Sequence, residues 1–205
     1  MAGLRDRQRS GRRSRILTTA RQLFNCLGYE ATTLDEIAAQ SELSTVTVLN
    51  YFGSKGGLLV AIQTQFDAEL NEKIAPIIAS PSDDPIIAVF SFFATVFDHA
   101  LSTMDRHVWK HVWANLFLEA GTEIGRGFAA NERGLLEQFI VLLGAIKSRR
   151  QLREDTDVRI MGEVLYNLQS VRSMQFMSDA SISRARLDEL MRQDFRLVME
   201  NYLTK

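Results

Sequence analysis

Between positions 45 and 55 the chain gathers side chains suited to touching a nucleic-acid duplex. The amide of Asn50 can make the paired hydrogen bond that adenine offers in a major groove, and Val46 is shaped to pack on a thymine methyl. Thr45, Thr47 and Tyr51 bring hydroxyls and Lys55 brings an ammonium, all groups that suit phosphate oxygens. Lys55 also opens an expected helix, whose free backbone N–H groups attract anions. Upstream, Arg5, Arg7, Arg9, Arg12, Arg13 and Arg15 would add salt-sensitive affinity that is independent of base sequence.

Such side chains need a short helix, held at one end and bare on one face. The pattern supplies it. Ile16, Leu17, Ala20, Leu23, Phe24 and Leu27 recur at helical spacing over residues 14–27, and Gly28 marks the stop. Cys26 falls in the same stretch and reads as a small core residue. Thr33 opens a second segment with Glu36 three residues on, a capping-box pattern. Ile37 and Ala38 form its inward face. Ser41, Glu42 and Leu43 make the turn, and Ser44 is placed to cap a third helix over 45–52. On that helix Val48 and Phe52 fall on the core side, while Val46, Thr47 and Asn50 fall on the other. Ser54 then caps a fourth helix ending near Pro76. This is the arrangement of a helix-turn-helix, whose second helix enters the major groove. Thr33 and Ser44 complete the candidate DNA-contacting set with Thr45, Val46, Thr47, Asn50, Tyr51 and Lys55.

Residues 14–62 resemble the N-terminal domain of the TetR (tetracycline-repressor) family of transcriptional regulators. The resemblance rests on Ala20 and Phe24 before Gly28-Tyr29, then Thr32-Thr33, Ile37-Ala38, Ser44, Thr47, Tyr51-Phe52, Ser54-Lys55 and Leu58, in order and at the family's spacing. It implies a homodimeric, DNA-binding regulator, most simply a repressor. It also implies an all-helical C-terminal domain that dimerises and often encloses a ligand. Two positions depart from the family pattern. Val46 stands where glycine is usual, and Leu49 replaces a tyrosine whose hydroxyl commonly reaches a phosphate.

The totals agree with contact to a polyanion at one end. The chain of 205 residues carries 24 Lys+Arg against 25 Asp+Glu, yet residues 1–60 are at +3 and the remainder at −4. An all-α architecture is expected: a basic flexible arm over 1–13, a three-helix DNA-binding domain over 14–55, and a larger helical ligand-binding and dimerisation domain over 56–205. Residues 79–85, ASPSDDP, read as a linker. Five further helices are expected near 86–103, 107–120, 123–149, 156–178 and 183–203. The last two carry apolar residues around more than one stripe, which suits core burial on one side and a second copy of the chain on the other. Two-fold symmetry would match a palindromic operator on double-stranded DNA.

Aromatic residues Phe93, Phe97, Trp109, Trp113 and Phe117 are candidates to line a pocket for a small hydrophobic or aromatic effector, with ordinary core packing as the alternative. No cofactor is called for. One cysteine excludes an intrachain disulfide and a cysteine-based zinc site. His107 and His111 have metal-compatible spacing but lie opposite their helix's apolar arc, with only a distant His99 beside them. No apolar run approaches the length of a membrane span and the start lacks a secretory pattern, so a cytoplasmic protein is expected. A helical enzyme acting on a hydrophobic substrate would need a phosphate loop or nucleophile elbow, and neither motif is present. An architectural protein that coats DNA without base preference shares the basic head and is separated only by its lack of selectivity.

Overall fold

The computed structural model describes residues 3–118 and 121–204, with the side chains of 4, 5, 115–117, 123, 124 and 128 outside that description. Among these residues the chain forms nine α-helices: α1 (Leu4–Leu27), α2 (Leu34–Gln40), α3 (Thr45–Phe52), α4 (Lys55–Ala79), α5 (Pro85–Thr103), α6 (Arg106–Leu118), α7 (Glu123–Ser148), α8 (Val158–Ser178) and α9 (Arg184–Met199). A 3₁₀ turn follows at Glu200–Tyr202. The only strand-like pairing among them is an isolated antiparallel bridge, Leu152 with Leu203.

Two compact units emerge, and they do not divide at the expected position between 55 and 56. The head runs up to Phe66 and takes in Ser102–Phe128; the body comprises Asp67–Leu101 and Ala129–Lys205. The head's core is built from Ile16, Ala20, Phe24, Ile37, Val48, Leu58 and Leu59, each at most 2% exposed or fully buried. α6 joins it through polar ties to the end of α1. The Asn25 amide donates to the Thr103 carbonyl at 3.4 Å and its oxygen accepts from the Asp105 N–H at 3.0 Å. His107 Nε2 lies 3.3 Å from the Phe24 carbonyl, and the His111 ring packs 5.1 Å from Tyr29 and pairs with Glu30. His107 and His111 are thus occupied in holding helices together.

The body packs α8 and α9 against each other around Phe92, Phe93, Phe139 and Phe195, all wholly buried. Arg172 of α8 binds Asp194 of α9 through two hydrogen bonds of 2.7 and 3.0 Å. Residues 80–84 connect α4 to α5 inside this unit, so the expected linker is a loop within the body. α4 continues through Pro76 to Ala79, although a proline there removes one helical hydrogen bond and crowds the preceding turn. α5 averages a hydropathy of 1.6, enough by composition for a membrane span, against the expectation that no run would come close. Half of that window is buried, and Val89, Phe92 and Phe93 account for its apolarity as core.

Two further expectations fail at α1. The helix starts at Leu4, so the basic segment read as a flexible arm is helical from there. Its polar residues give no apolar stripe to betray a helix, while Asp6 accepts the Gly3 N–H at 3.3 Å and sits favourably in the first turn. Cys26 and Leu27 are exposed, because the core face of α1 is already set by Ile16, Ala20, Leu23 and Phe24.

Candidate nucleic-acid interface

The short helix at the centre of the site is fixed by local chemistry at both ends. Ser44 Oγ accepts the Thr47 N–H at 3.2 Å, capping α3. Gly53, at φ 73°, closes it by donating to the Leu49 carbonyl at 2.7 Å, a conformation that costs a Cβ-bearing residue more. α2 is held in the same way: Thr33 Oγ1 accepts the Glu36 N–H at 3.2 Å, and Glu36 reaches back to the Thr33 N–H at 2.7 Å. The Thr33 N–H and the Thr33 hydroxyl, the latter at 2.9 Å, both donate to the Glu36 carboxylate and hold its pKa below the ordinary value. Between the helices Glu42 adopts φ 56° and its carboxylate pairs with Arg15 at 3.1 Å. Thr45 Oγ1 donates to Asp35 Oδ1 at 2.5 Å, tying α3 to the first turn of α2.

With Val48 buried, the opposite face of α3 is bare: Val46 is 66% exposed, and Leu49 and Asn50 are exposed beside it. Phe52, expected to share the core with Val48, is half-buried. The hydroxyls expected at phosphates each have an internal partner. Thr47 Oγ1 shares a hydrogen bond with Ser44 Oγ at 2.8 Å, and Tyr51 Oη donates to the Arg9 carbonyl at 3.4 Å. Thr33 and Ser44 serve as caps. Lys55 folds back, donating from Nζ to the Glu30 carbonyl at 3.2 Å and lying 4.4 Å from the Tyr29 ring centroid. Burial lowers its ammonium pKa, with Glu30 and Glu36 pulling the other way.

Neighbours that sequence spacing did not indicate complete the site. Arg13 lies over the Phe52 ring at 5.6 Å, and Arg9 meets Tyr51, so the start of α1 runs beside the C-terminal end of α3. Gly57 approaches the same junction so closely that an added Cβ would lie 2.0 Å from the Phe52 carbonyl oxygen. The contacts of α1 with α3 are nonlocal, with 42 positions separating Arg9 from Tyr51, whereas Gly57 lies close in sequence to Phe52 and its missing side chain leaves a trace.

The proposed effector residues are divided between the two units. Phe93 and Phe97 belong to the body, Trp109 and Trp113 to the head, and the Phe117 side chain lies outside the described residues. Phe93 is closed in by rings at 5.3 Å (Phe92), 4.6 Å (Phe139) and 5.4 Å (Phe195), and Phe97 meets Phe176 edge-on. Trp109 packs edge-on against Phe66. The body does contain a polar feature that spacing did not reveal. Asp67 has a buried Oδ2 without a hydrogen-bond partner, and its carboxyl is pushed up to about 7, first by burial and then by the charge of Glu132. Glu132 is raised by burial and accepts a 2.9 Å hydrogen bond from Tyr166.

Residues 16–62 match the family described as bacterial regulatory proteins, tetR family. The HTH-type transcriptional regulator BetI of Stenotrophomonas maltophilia (strain R551-3) is 32% identical over 129 residues, which span 62% of this chain and 65% of that relative, just under two thirds of its length. Among solved structures, a TetR-family transcriptional regulator from Pectobacterium atrosepticum superposes with a TM-score of 0.76 at 20% identity, covering 100% of this chain and 99% of the other. FadR of Thermus thermophilus, a TetR-family repressor solved in complex with lauroyl-CoA, gives 0.70 at 22% identity with coverage of 94% and 96%. A regulator from Saccharomonospora viridis in complex with choline gives 0.68 at 19% identity with coverage of 96% and 100%.

Proposed function

From the match of residues 16–62 to the tetR family of bacterial regulatory proteins, we propose that the chain is a sequence-specific DNA-binding repressor, active as a homodimer and released from a palindromic operator by a small-molecule effector. The observation that carries this reading is the exposure of Val46 and Asn50 on a helix whose other face is locked by Val48 and whose ends are capped. Side chains so placed meet base edges when the helix lies in a major groove.

Dimerisation is supported by a second apolar face on α8. Ile160, Val164 and Val171 are exposed by 61, 43 and 53%, opposite the buried Met161, Leu165 and Phe176, and Leu197 on α9 is 76% exposed. A palindromic operator would require the two α3 helices of such a dimer to stand about 34–36 Å apart, one turn of duplex. Release requires an effector that binds better to a body conformation in which that spacing is lost; effector and operator then weaken each other by the same factor.

The effector's charge is a separate question. Lauroyl-CoA carries phosphates, whereas choline is a cation. The Asp67 and Glu132 carboxyls, both raised by burial and Asp67 further by the charge of Glu132, favour a positively charged ligand over an anionic one.

Selection of bound sequences from a random duplex pool tests the function as a whole. The expected result is a palindromic consensus with half-sites one helical turn apart. Recovery of no preferred sequence would exclude the regulator reading and leave the architectural one.

A further inference from the structure

The arginines at the start of α1 lie in register with the head's core. Arg9, Arg12 and Arg13 precede Ile16, Ala20 and Leu23 by steps of three and four residues, so they share one face of the helix. From Ile16 onward that face is buried against the helices that hold α3; before Ile16 it overhangs them and is exposed. Its direction is set by two contacts, the Tyr51 hydroxyl on the Arg9 carbonyl at 3.4 Å and the Arg13 guanidinium over Phe52 at 5.6 Å. Tyr51 and Phe52 are the last residues of α3. Arg15 is set apart from this group by its ion pair with Glu42. Among the described residues no acid pairs with the guanidinium of Arg9, Arg12 or Arg13; Asp6, the one acid of the segment, is turned to the Gly3 N–H.

Helix energetics do not explain this placement. Cations near a helix N-terminus face the positive end of the macrodipole, and like charges three and four residues apart repel. A helix that begins with arginines in this pattern is stabilised when a polyanion lies along it. We propose that residues 4–13 form a preformed helical extension whose Arg9, Arg12 and Arg13 face binds backbone phosphates of duplex DNA, next to the bases read by α3 and beyond its C-terminal end. The extension rests on the reading of α3 given above and adds to it a second, base-independent contact. Being helical and docked through Tyr51, it fixes which phosphates are touched, where a free basic arm would not.

The test uses the full chain and the operator recovered from the random pool, with affinities measured between 50 and 200 mM salt. Replacing Arg9, Arg12 and Arg13 together by alanine should reduce the slope of log affinity against log salt by about 5 for the dimer, since each protomer loses three phosphate contacts at about 0.9 apiece. Hydroxyl-radical footprints should shorten at the outer edge of each half-site. Gly11→Pro keeps every arginine but removes a helical N–H and clashes with the preceding turn, whereas Gly11→Ala meets open space and strengthens the helix. The proline variant should lose most of what the triple variant loses, and the alanine variant should bind at least as well as the native chain. An unchanged slope in the triple variant overturns the extension. So does native affinity in Gly11→Pro, which would mean that loose charge suffices. In both cases the native chain still selects its operator; failure of that selection overturns the parent reading instead.

Discussion

Asn50 and Lys55 stand five residues apart and carry different kinds of information. Asn50 is exposed on the outer face of α3 and in the proposed complex would serve base choice; Lys55 is half-buried and would serve position. Asn50→Ala should change which half-site sequence is preferred, at a cost of about 1–3 kcal/mol on the cognate site, read by repeating the random-pool selection. Lys55→Ala should weaken all duplexes alike and lower the salt slope by about 2, one phosphate contact in each protomer of the dimer. The Lys55 ammonium has to leave the Glu30 carbonyl and Tyr29 ring to reach a phosphate, so part of its contribution offsets that loss. If the lysine variant alters sequence preference and the asparagine variant does not, the roles assigned along α3 are reversed. Val46, at the position where the family resemblance expects glycine, is the most exposed apolar residue of the helix and would add a methyl-shaped contact beside Asn50.

At the scale of elements, the junction of α3 and α4 decides how firmly the reading helix is held. Ser54 Oγ accepts the Gly57 N–H at 3.0 Å, so the first turn of α4 is built directly against the end of α3. Gly57→Ala places a Cβ 2.0 Å from the Phe52 carbonyl oxygen, and backbone has to move. The expected cost is about 1–3 kcal/mol of stability with a loss of operator affinity, since α3 tilts. A variant that melts and binds like the native chain would show that the junction gives way freely. These joints also mark how far the sequence could be read. Thr33, Glu36, Ser44, Gly28 and Gly53 announce their roles through spacings of a few residues, and the helix ends they set agree with the structure. The segment before Ile16 is helical without an apolar stripe, so periodicity was silent there. The docking of α6 on α1, through Asn25, His107 and His111, depends on residues some eighty positions apart and has no local signature. Phe93 and Phe97 look the same in sequence whether they pack in a core or line a pocket.

On the scale of the whole molecule, the proposed release by an effector requires the basic head to be coupled to the body. The body's least compensated feature is the meeting of Asp67 on α4, Glu132 on α7 and Tyr166 on α8. Its energetics have a definite sign. The folded chain holds a proton on Asp67 up to about pH 7, whereas the unfolded chain releases it near the ordinary carboxylate value of 3.8. Between these values the folded state binds more protons, so this contribution to stability is full in acid and declines as pH rises through 7. Asp67→Asn keeps the shape and removes the charge. It should be more stable than the native chain at pH 8 by about 1–2 kcal/mol, after allowance for the group's partial exposure, and the advantage should shrink as pH falls and vanish only below the unfolded value of 3.8. Thermal melts across that range read the difference directly. A cation that binds the pair replaces the missing proton. Choline, if it is of the class this body accepts, should therefore raise the melting temperature of the native chain more at pH 8 than at pH 6 and leave Asp67→Asn unmoved. Equal shifts in both proteins would place any choline site elsewhere, and an Asp67→Asn advantage that does not depend on pH would remove the carboxyl pair as the origin of either effect.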